Sequence, residues 1–337
     1  MTMHMTVPGS EDLFRPDPER ARAVDATIRQ RLADSLDWLD VDGVSAATVP
    51  DGWTARPTDF GFYYDLAAAK HHGVEPSPAA ADSLRASLTR GGGATGALRM
   101  TTLDADHYAP DEIDCLKRWF DLEPDNAMAL EPLGPEALTR ETEAVGRALA
   151  ILERHAPALH GEFAAITTEL IFAKPGADAR FRFGGASSFS LWGGMALSPH
   201  DIWWHYVPRL VHEYSHNLLF GLAADGPLVL NDPAARYHSP LRGTQRPMDG
   251  IFHAFYVTGR EAVLRRTLID ALGAEAAGSE DIAGLRDFCA RTLPEAVAAH
   301  EDCHDVVAEH AALSDLGRTV VASTRAAMRS EGLIPAG

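Results

Sequence analysis

His212, Glu213 and His216 stand in the stretch RLVHEYSHNLLFGL, residues 209–222, and His300, Glu301 and His304 repeat the same H-E-x-x-H spacing in AAHEDCHDVV, residues 298–307. On a helix, that spacing brings two imidazoles to one face with a carboxylate beside them, an arrangement that binds a divalent metal. With 15 histidines and 20 glutamates in 337 residues, the pattern should arise by chance on the order of 0.04 times per chain. One occurrence is therefore informative, and two call for a choice.

Context separates them. Around the first, Val207, Leu210, Val211, Tyr214, Leu218 and Leu222 recur at three- and four-residue spacings, a stripe that predicts a buried helix. Its variable positions, Tyr214 and Ser215, are uncharged, and the next charge is Asp225. Buried imidazoles need partners for both ring nitrogens, and a metal ion satisfies such a demand. The second sits among Asp302, Asp305, Glu309 and His310, which predicts a solvated face, with His300 and His304 structural or at the surface rather than metal ligands. The first pentapeptide is the expected site.

A catalytic metal needs a third protein ligand and open positions for water or substrate. The metzincin extension is excluded, because Leu219 and Leu222 stand where it requires glycine and histidine. The remaining candidates lie in RYHSPLRGTQRPMDGIFHAFYVTGRE, residues 236–261: His238, Asp249, His253 and Glu261. His253, among Ile251, Phe252, Phe255 and Val257, falls in an apolar helical segment and is preferred; Glu261, which would give a gluzincin-like site, is the alternative. With zinc bound, Glu213 would act as general base in peptide hydrolysis. Arg242 and Arg246 suggest a different chemistry, since guanidinium groups are bidentate partners for the distal carboxylate of a dicarboxylic 2-oxo acid.

The joint presence of HEYSH, YHSPLR, RPMDG and FHAFYV resembles the HExxH-type peptide-modifying proteins of ribosomal natural-product clusters, understood as iron- and α-ketoglutarate-dependent peptide β-hydroxylases. The resemblance covers residues 187–260. It implies His212, His216 and His253 as Fe(II) ligands, and Arg246 and Arg242, with Tyr237 and Ser239, at the α-ketoglutarate site. It also implies a ribosomally synthesised precursor peptide as substrate. In that chemistry Glu213 is not a general base but a neighbour of the ligands. Two other readings stay open: a zinc metallopeptidase, and a peptide-binding module without catalysis.

The elements that must position these residues follow from periodicity and punctuation. Val24, Ile28, Leu32, Leu36 and Leu39 predict an N-terminal helix over residues 17–39. Short helices are expected at 78–88 and 111–120 and a long one at 135–154, separated by Pro- and Gly-bearing loops that include Gly91–Gly93. AAITTELIFA and SSFSLWGGMALS read as strands, the only ones the pattern predicts, and the second could offer an edge to an extended peptide. From residue 202 onward helices return.

The expected fold is α+β and predominantly helical, with a zincin-like metal core, a small β-sheet beside the HExxH helix and an N-terminal helical region. The expected division is a helical region over 1–160 and a metal-binding catalytic region over 161–337.

Composition bounds the partners. A net charge of −18 with no basic run argues against nucleic acid. No apolar run reaches the roughly 20 residues a bilayer requires, and the N-terminus lacks a signal-peptide pattern, so a cytoplasmic protein that does not enter a membrane is expected. Cys115, Cys289 and Cys303 suggest neither a disulfide framework nor a thiolate metal cluster.

Overall fold

The computed structural model describes residues 12–90, 97–121, 127–180, 182–273 and 275–336. Six successive helices open on proline: α1 (Pro18–Leu39), α2 (Pro57–His72), α3 (Pro78–Arg90), α4 (Pro110–Phe120), α5 (Pro135–His155) and α6 (Pro157–Ile166). Proline at the first helical position gives up an N–H that has no partner in the helix, and its fixed φ already suits the turn. This explains why the starts of the helices expected at 17–39, 78–88, 111–120 and 135–154 lie within a residue of those positions. The loop expected at Gly91–Gly93 lies outside the described residues.

The helices that follow are α7 (Tyr206–Leu222), α8 (Met248–Ala271), α9 (Glu280–His310) and α10 (Asp315–Ser330). The strands are β1 (Arg99–Thr102), β2 (Leu130–Pro132), β3 (Glu169–Pro175), β4 (Gly185–Ser187), β5 (Gly194–Leu197), β6 (Tyr237–Ser239) and β7 (Thr244–Arg246). The fold is thus predominantly helical with a small sheet. No helix among the described residues is long and apolar enough to cross a membrane.

By its internal contacts the chain forms two units. One comprises Met1–Arg20, Arg147–Glu162 and Trp204–Gly337, the other Ala21–Gly146 and Phe163–Trp203. The second unit holds the main sheet. In it β3 lies between β1 and β5, both parallel to it, with Leu170 level with Met100 and Met195. β4 pairs antiparallel with β5, and β2 pairs antiparallel with the end of β3. Leu116, Phe120, Ile171, Leu191 and Ala196 fill one core of this unit, and Leu36, Phe62, Leu66, Leu84 and Cys115 another.

Two strand expectations need correction. AAITTELIFA is not one strand: α6 runs to Ile166 before β3 starts at Glu169. SSFSLWGGMALS breaks into the end of β4, a 3-10 turn over Phe189–Leu191 and β5. The break falls at Gly193, whose φ of +82° only glycine adopts readily, and where an added Cβ would stand 2.9 Å from Thr168 Oγ1. β5 has β3 on one side and β4 on the other, so it offers no free edge to a peptide. Strands of three or four residues such as β1, β2, β6 and β7 carry too little alternation to be read from the sequence.

In the first unit, α8 packs against α7, α9 and α10. Ala262, Ala296, Met328 and Ile334 form one cluster of its core. The five-stranded sheet belongs to the other unit; here the β structure among the described residues is the hairpin of β6 and β7, in which Tyr237 faces Arg246 and Ser239 faces Thr244, and a single antiparallel bridge between Val229 and Leu313. All three cysteines are free and buried, Cys115 in the second unit and Cys289 and Cys303 on α9 of the first.

Candidate metal centre

Helix α7 is buried on most of its surface. Tyr206, Val207, Leu210, Val211, Tyr214, Leu218 and Leu219 are each 0% exposed. His212, His216 and Phe220 form a half-buried line along the remaining face, as the i, i+4 spacing requires.

The back of the pentapeptide is fixed by buried charge. Tyr214 donates to Glu162 Oε2 at 3.1 Å and accepts from Arg260 Nη2 at 2.8 Å. Arg260 also pairs with Glu162 and donates to the Phe14 carbonyl at 2.7 Å. Glu162 and Arg260 are 0% and 1% exposed, and such a pair survives in the interior only with its remaining hydrogen bonds satisfied. Asp17 N supplies one of these, 2.8 Å from Glu162 Oε1.

On the open face, α8 brings His253 against α7. The His216 and His253 rings stack with centroids 5.3 Å apart, and Phe220 packs on His253 at 4.5 Å. His216 Nε2 lies 3.1 Å from His212 Nε2, and His216 Nδ1 lies 3.0 Å from His253 Nδ1. His212 Nδ1 meets Glu261 Oε1 at 2.5 Å, and Glu261 Oε2 accepts from Arg265 Nη1 at 2.6 Å. One donor order satisfies all three ring contacts: His253 Nδ1–H to His216 Nδ1, His216 Nε2–H to His212 Nε2, and His212 Nδ1–H to Glu261.

The electrostatics differ along this row. Burial, reinforced by the charges of His212, His253, Arg242 and Arg246, holds the His216 pKa well below that of ordinary histidine. Burial takes His253 to about 4, against a weaker opposing pull from Asp249. Burial also works to lower His212, but the Glu261 hydrogen bond and charge outweigh it, and its pKa is raised. Burial works to raise Glu261; the Arg265 charge and the His212 contact overcome it and bring the carboxyl to about 2.

In donor chemistry the set fits a divalent metal: three imidazoles in contact, two of them kept neutral. In geometry the HEYSH pair fits, since ligands about 2.0–2.1 Å from one ion stand roughly 3 Å apart. His253 does not complete it as it stands, because its Nδ1 addresses the far nitrogen of His216. Among the described residues no group of three His, Cys, Asp or Glu side chains is arranged to hold a metal.

The other expected residues are distributed as follows. Glu213 is buried, at 5% exposure. Arg246 lies along the first turn of α8, where its Nε stands 3.5 Å from the position a Cβ would take on Gly250. Arg242 is exposed in the hairpin turn, and its charge acts on His216. Ser239 is buried at 2%, and its carbonyl closes that turn by accepting from Gly243 N at 2.8 Å. Tyr237 is directed elsewhere: its hydroxyl accepts from Asn231 at 2.8 Å and its ring packs on His310. His238 and Asp249 are exposed. Glu261 contacts a histidine rather than taking a ligand position of its own.

The second pentapeptide corrects the expectation of a solvated face. His300 is 0% exposed; its ring stacks on Phe255 at 4.7 Å, and its Nδ1 lies 3.0 Å from the Phe255 carbonyl. Gly259 makes room for it: a Cβ there would approach His300 Nδ1 to 3.1 Å. His304 is half-buried beside the same phenyl ring, at 5.9 Å. HEDCH is thus packing between α8 and α9.

Sequence reasoning missed Arg265 and Thr292 altogether. The signal available was the i, i+4 pair Glu261–Arg265, eight residues beyond His253. Comparison with protein-family models finds no match, and comparison with curated proteins finds none either.

Proposed function

We propose that this protein is an iron(II)- and α-ketoglutarate-dependent dioxygenase that β-hydroxylates residues of a ribosomally made precursor peptide in the cytoplasm. The observation that carries the reading is the gathering of both HEYSH imidazoles and His253 into direct contact, with the charges of Arg242 and Arg246 acting on the central ring. The sequence resemblance over residues 187–260 supplies the reaction class, and a zincin-like metal core belongs to the same proposal.

His212, His216 and His253 would hold the metal. Bound iron(II) would supply oxygen activation coupled to oxidative decarboxylation of the 2-oxo acid. For His253 to join the HEYSH pair, its ring must turn a nitrogen toward them, and the hydrogen on His216 must pass from Nε2 to Nδ1, since ligation uses the Nε2 lone pair. Low pKa values at His216 and His253 favour the neutral rings that ligation needs. Arg246, the last residue of β7, with its side chain along the first turn of α8, is the preferred partner for the distal carboxylate, with Arg242 of the hairpin turn as the second candidate. Glu213 is assigned no proton transfer.

The test is anaerobic loading with iron(II), followed by measurement of α-ketoglutarate-to-succinate turnover and mass spectrometry of candidate peptides. A gain of one oxygen that persists in Glu213→Gln at a rate reduced by about 10- to 100-fold supports the proposal. Cleavage fragments that vanish in Glu213→Gln overturn it in favour of a zinc peptidase, in which that carboxylate must take a proton from metal-bound water.

A further inference from the structure

Glu261 lies two turns beyond His253 on α8 and divides its two oxygens between different tasks. Oε1 meets His212 Nδ1 at 2.5 Å, and Oε2 accepts from Arg265 Nη1 at 2.6 Å. Arg265 in turn donates from Nε to Thr292 Oγ1 at 3.0 Å, and Thr292 donates to the Phe288 carbonyl at 2.8 Å within α9. The side chains of Glu261 and Arg265 are 17% and 9% exposed. An i, i+4 ion pair that served only to steady the helix would not need its second oxygen aimed at an imidazole on another helix. The chain of contacts starts on α9, crosses α8 and ends on α7.

The consequence for His212 is directional. A carboxylate can only accept, so the nitrogen facing it must carry the hydrogen, and whenever the ring is neutral the opposite nitrogen, Nε2, is left with its lone pair toward His216. Without that acceptor a neutral imidazole is free to exchange tautomers, and half of its states would present N–H where the row of histidines needs a lone pair.

We infer that Glu261 is the positioning residue that fixes the tautomer and orientation of His212, and that Arg265, anchored by Thr292 of α9, fixes Glu261. This deepens the metal-dependent reading and rests on it for its purpose, but its structural half is measurable by itself. A carboxylate behind an imidazole raises its basicity as a ligand, and loss of such a partner weakens metal affinity by about 10- to 100-fold.

Two measurements on the full chain test it. Nitrogen-15 NMR of histidine-labelled protein reads which His212 nitrogen bears hydrogen, with no metal added. The expected result, at a pH where the ring is neutral, is the Nδ1–H form in the wild type and a tautomer mixture in Glu261→Ala, with Glu261→Gln, whose single amide oxygen must serve either His212 or Arg265, between them. Cobalt(II) titration reads affinity: Glu261→Ala should bind about 10- to 100-fold more weakly, with Glu261→Gln between it and the wild type and Thr292→Val weakened in the same direction by less. An unchanged tautomer and unchanged cobalt affinity in Glu261→Ala overturn the inference. Should the alanine variant fail to fold, wild-type affinity in both Glu261→Gln and Thr292→Val overturns it equally. A wild type that binds neither cobalt nor iron, yet whose His212 tautomer changes in Glu261→Ala, supports the positioning role and overturns the hydroxylase reading instead.

Discussion

The chain writes H-E-x-x-H twice and uses it in opposite ways. HEYSH on α7 turns its two imidazoles to a half-buried face where a third histidine and a carboxylate from α8 meet them. HEDCH on α9 buries His300 flat against Phe255 and hands one of its nitrogens to a backbone carbonyl. The two helices carry the same spacing, and in both the first histidine meets α8. What differs is the surface that α8 offers: His253 and Glu261 toward α7, Phe255 and Gly259 toward α9. A motif specifies which side chains share a face, and its neighbour decides what that face is for.

The largest contrast between the two should appear in metal uptake. His216→Ala is expected to abolish iron(II) or cobalt(II) binding, whereas His300→Asn and His304→Ala should retain it in full; elemental analysis of anaerobically loaded variants reads this directly. Retention by His216→Ala, or loss with His304→Ala, breaks the distinction between the two sites.

The next effect concerns the buried pair behind HEYSH; the ion pair at HEDCH, Arg325 with Glu301, is more exposed. Arg260→Leu leaves Glu162 in the interior without its main counter-charge and should destabilise the fold by about 3–5 kcal/mol in urea unfolding. Adding Glu162→Gln should recover part of that loss. A cost below about 0.5 kcal/mol for the single change would show that the pair does not hold α7 in place.

His300 gives the third, through pH. Burial sets its pKa at about 4, with the Phe255 carbonyl opposing and the Arg325 charge assisting. Its folded value is thus depressed below the unfolded value of about 6.5. The stability of neutral burial is fully present above that unfolded value and is lost as pH falls toward 4. The full loss is on the order of 3 kcal/mol. His300→Asn should flatten the urea-stability profile between pH 6.5 and 4, and His304→Ala, which removes a half-buried ring whose pKa burial also lowers, should flatten it by less.

Arg246→Ala should weaken α-ketoglutarate binding by about 1.5–3 kcal/mol, roughly 10- to 150-fold, if its guanidinium holds the distal carboxylate. Unchanged affinity in calorimetry moves the role to Arg242. The smallest effect belongs to His304→Ala, expected within about 0.5 kcal/mol of wild type in stability because its half-buried ring flanks Phe255 and its polar contact is to the exposed Asp305.

These contrasts also mark how far the sequence could be read. The starts of α1, α3, α4 and α5 were legible because proline sits at each, and HEYSH was legible because i, i+4 is a local geometry. His253 could be selected because it lies in an apolar helical segment close after HEYSH. The burial of His300 was not legible, since Asp302, Asp305 and Glu309 describe the outer side of α9 and Phe255 and Gly259, which accommodate the ring, lie about forty residues earlier. Nor was the Glu162–Arg260 pair, whose partners are separated by 98 positions with nothing local to link them. The strand reading of SSFSLWGGMALS failed at Gly193, where composition favours a strand and a single left-handed residue breaks it.

The three cysteines turn the two units into separately readable clocks. Cys115 lies in one unit, Cys289 and Cys303 in the other, and all are buried. Burial raises every one of these thiols, to about 11 at Cys289 and about 12 at Cys303, so reaction with an alkylating reagent must await exposure to water. Peptide-resolved alkylation therefore times the opening of each unit without any label being engineered. Its rates at Cys289 and Cys303 would slow on metal loading if an ion held at α7 and α8 also restrains α9, while the rate at Cys115 serves as the internal standard.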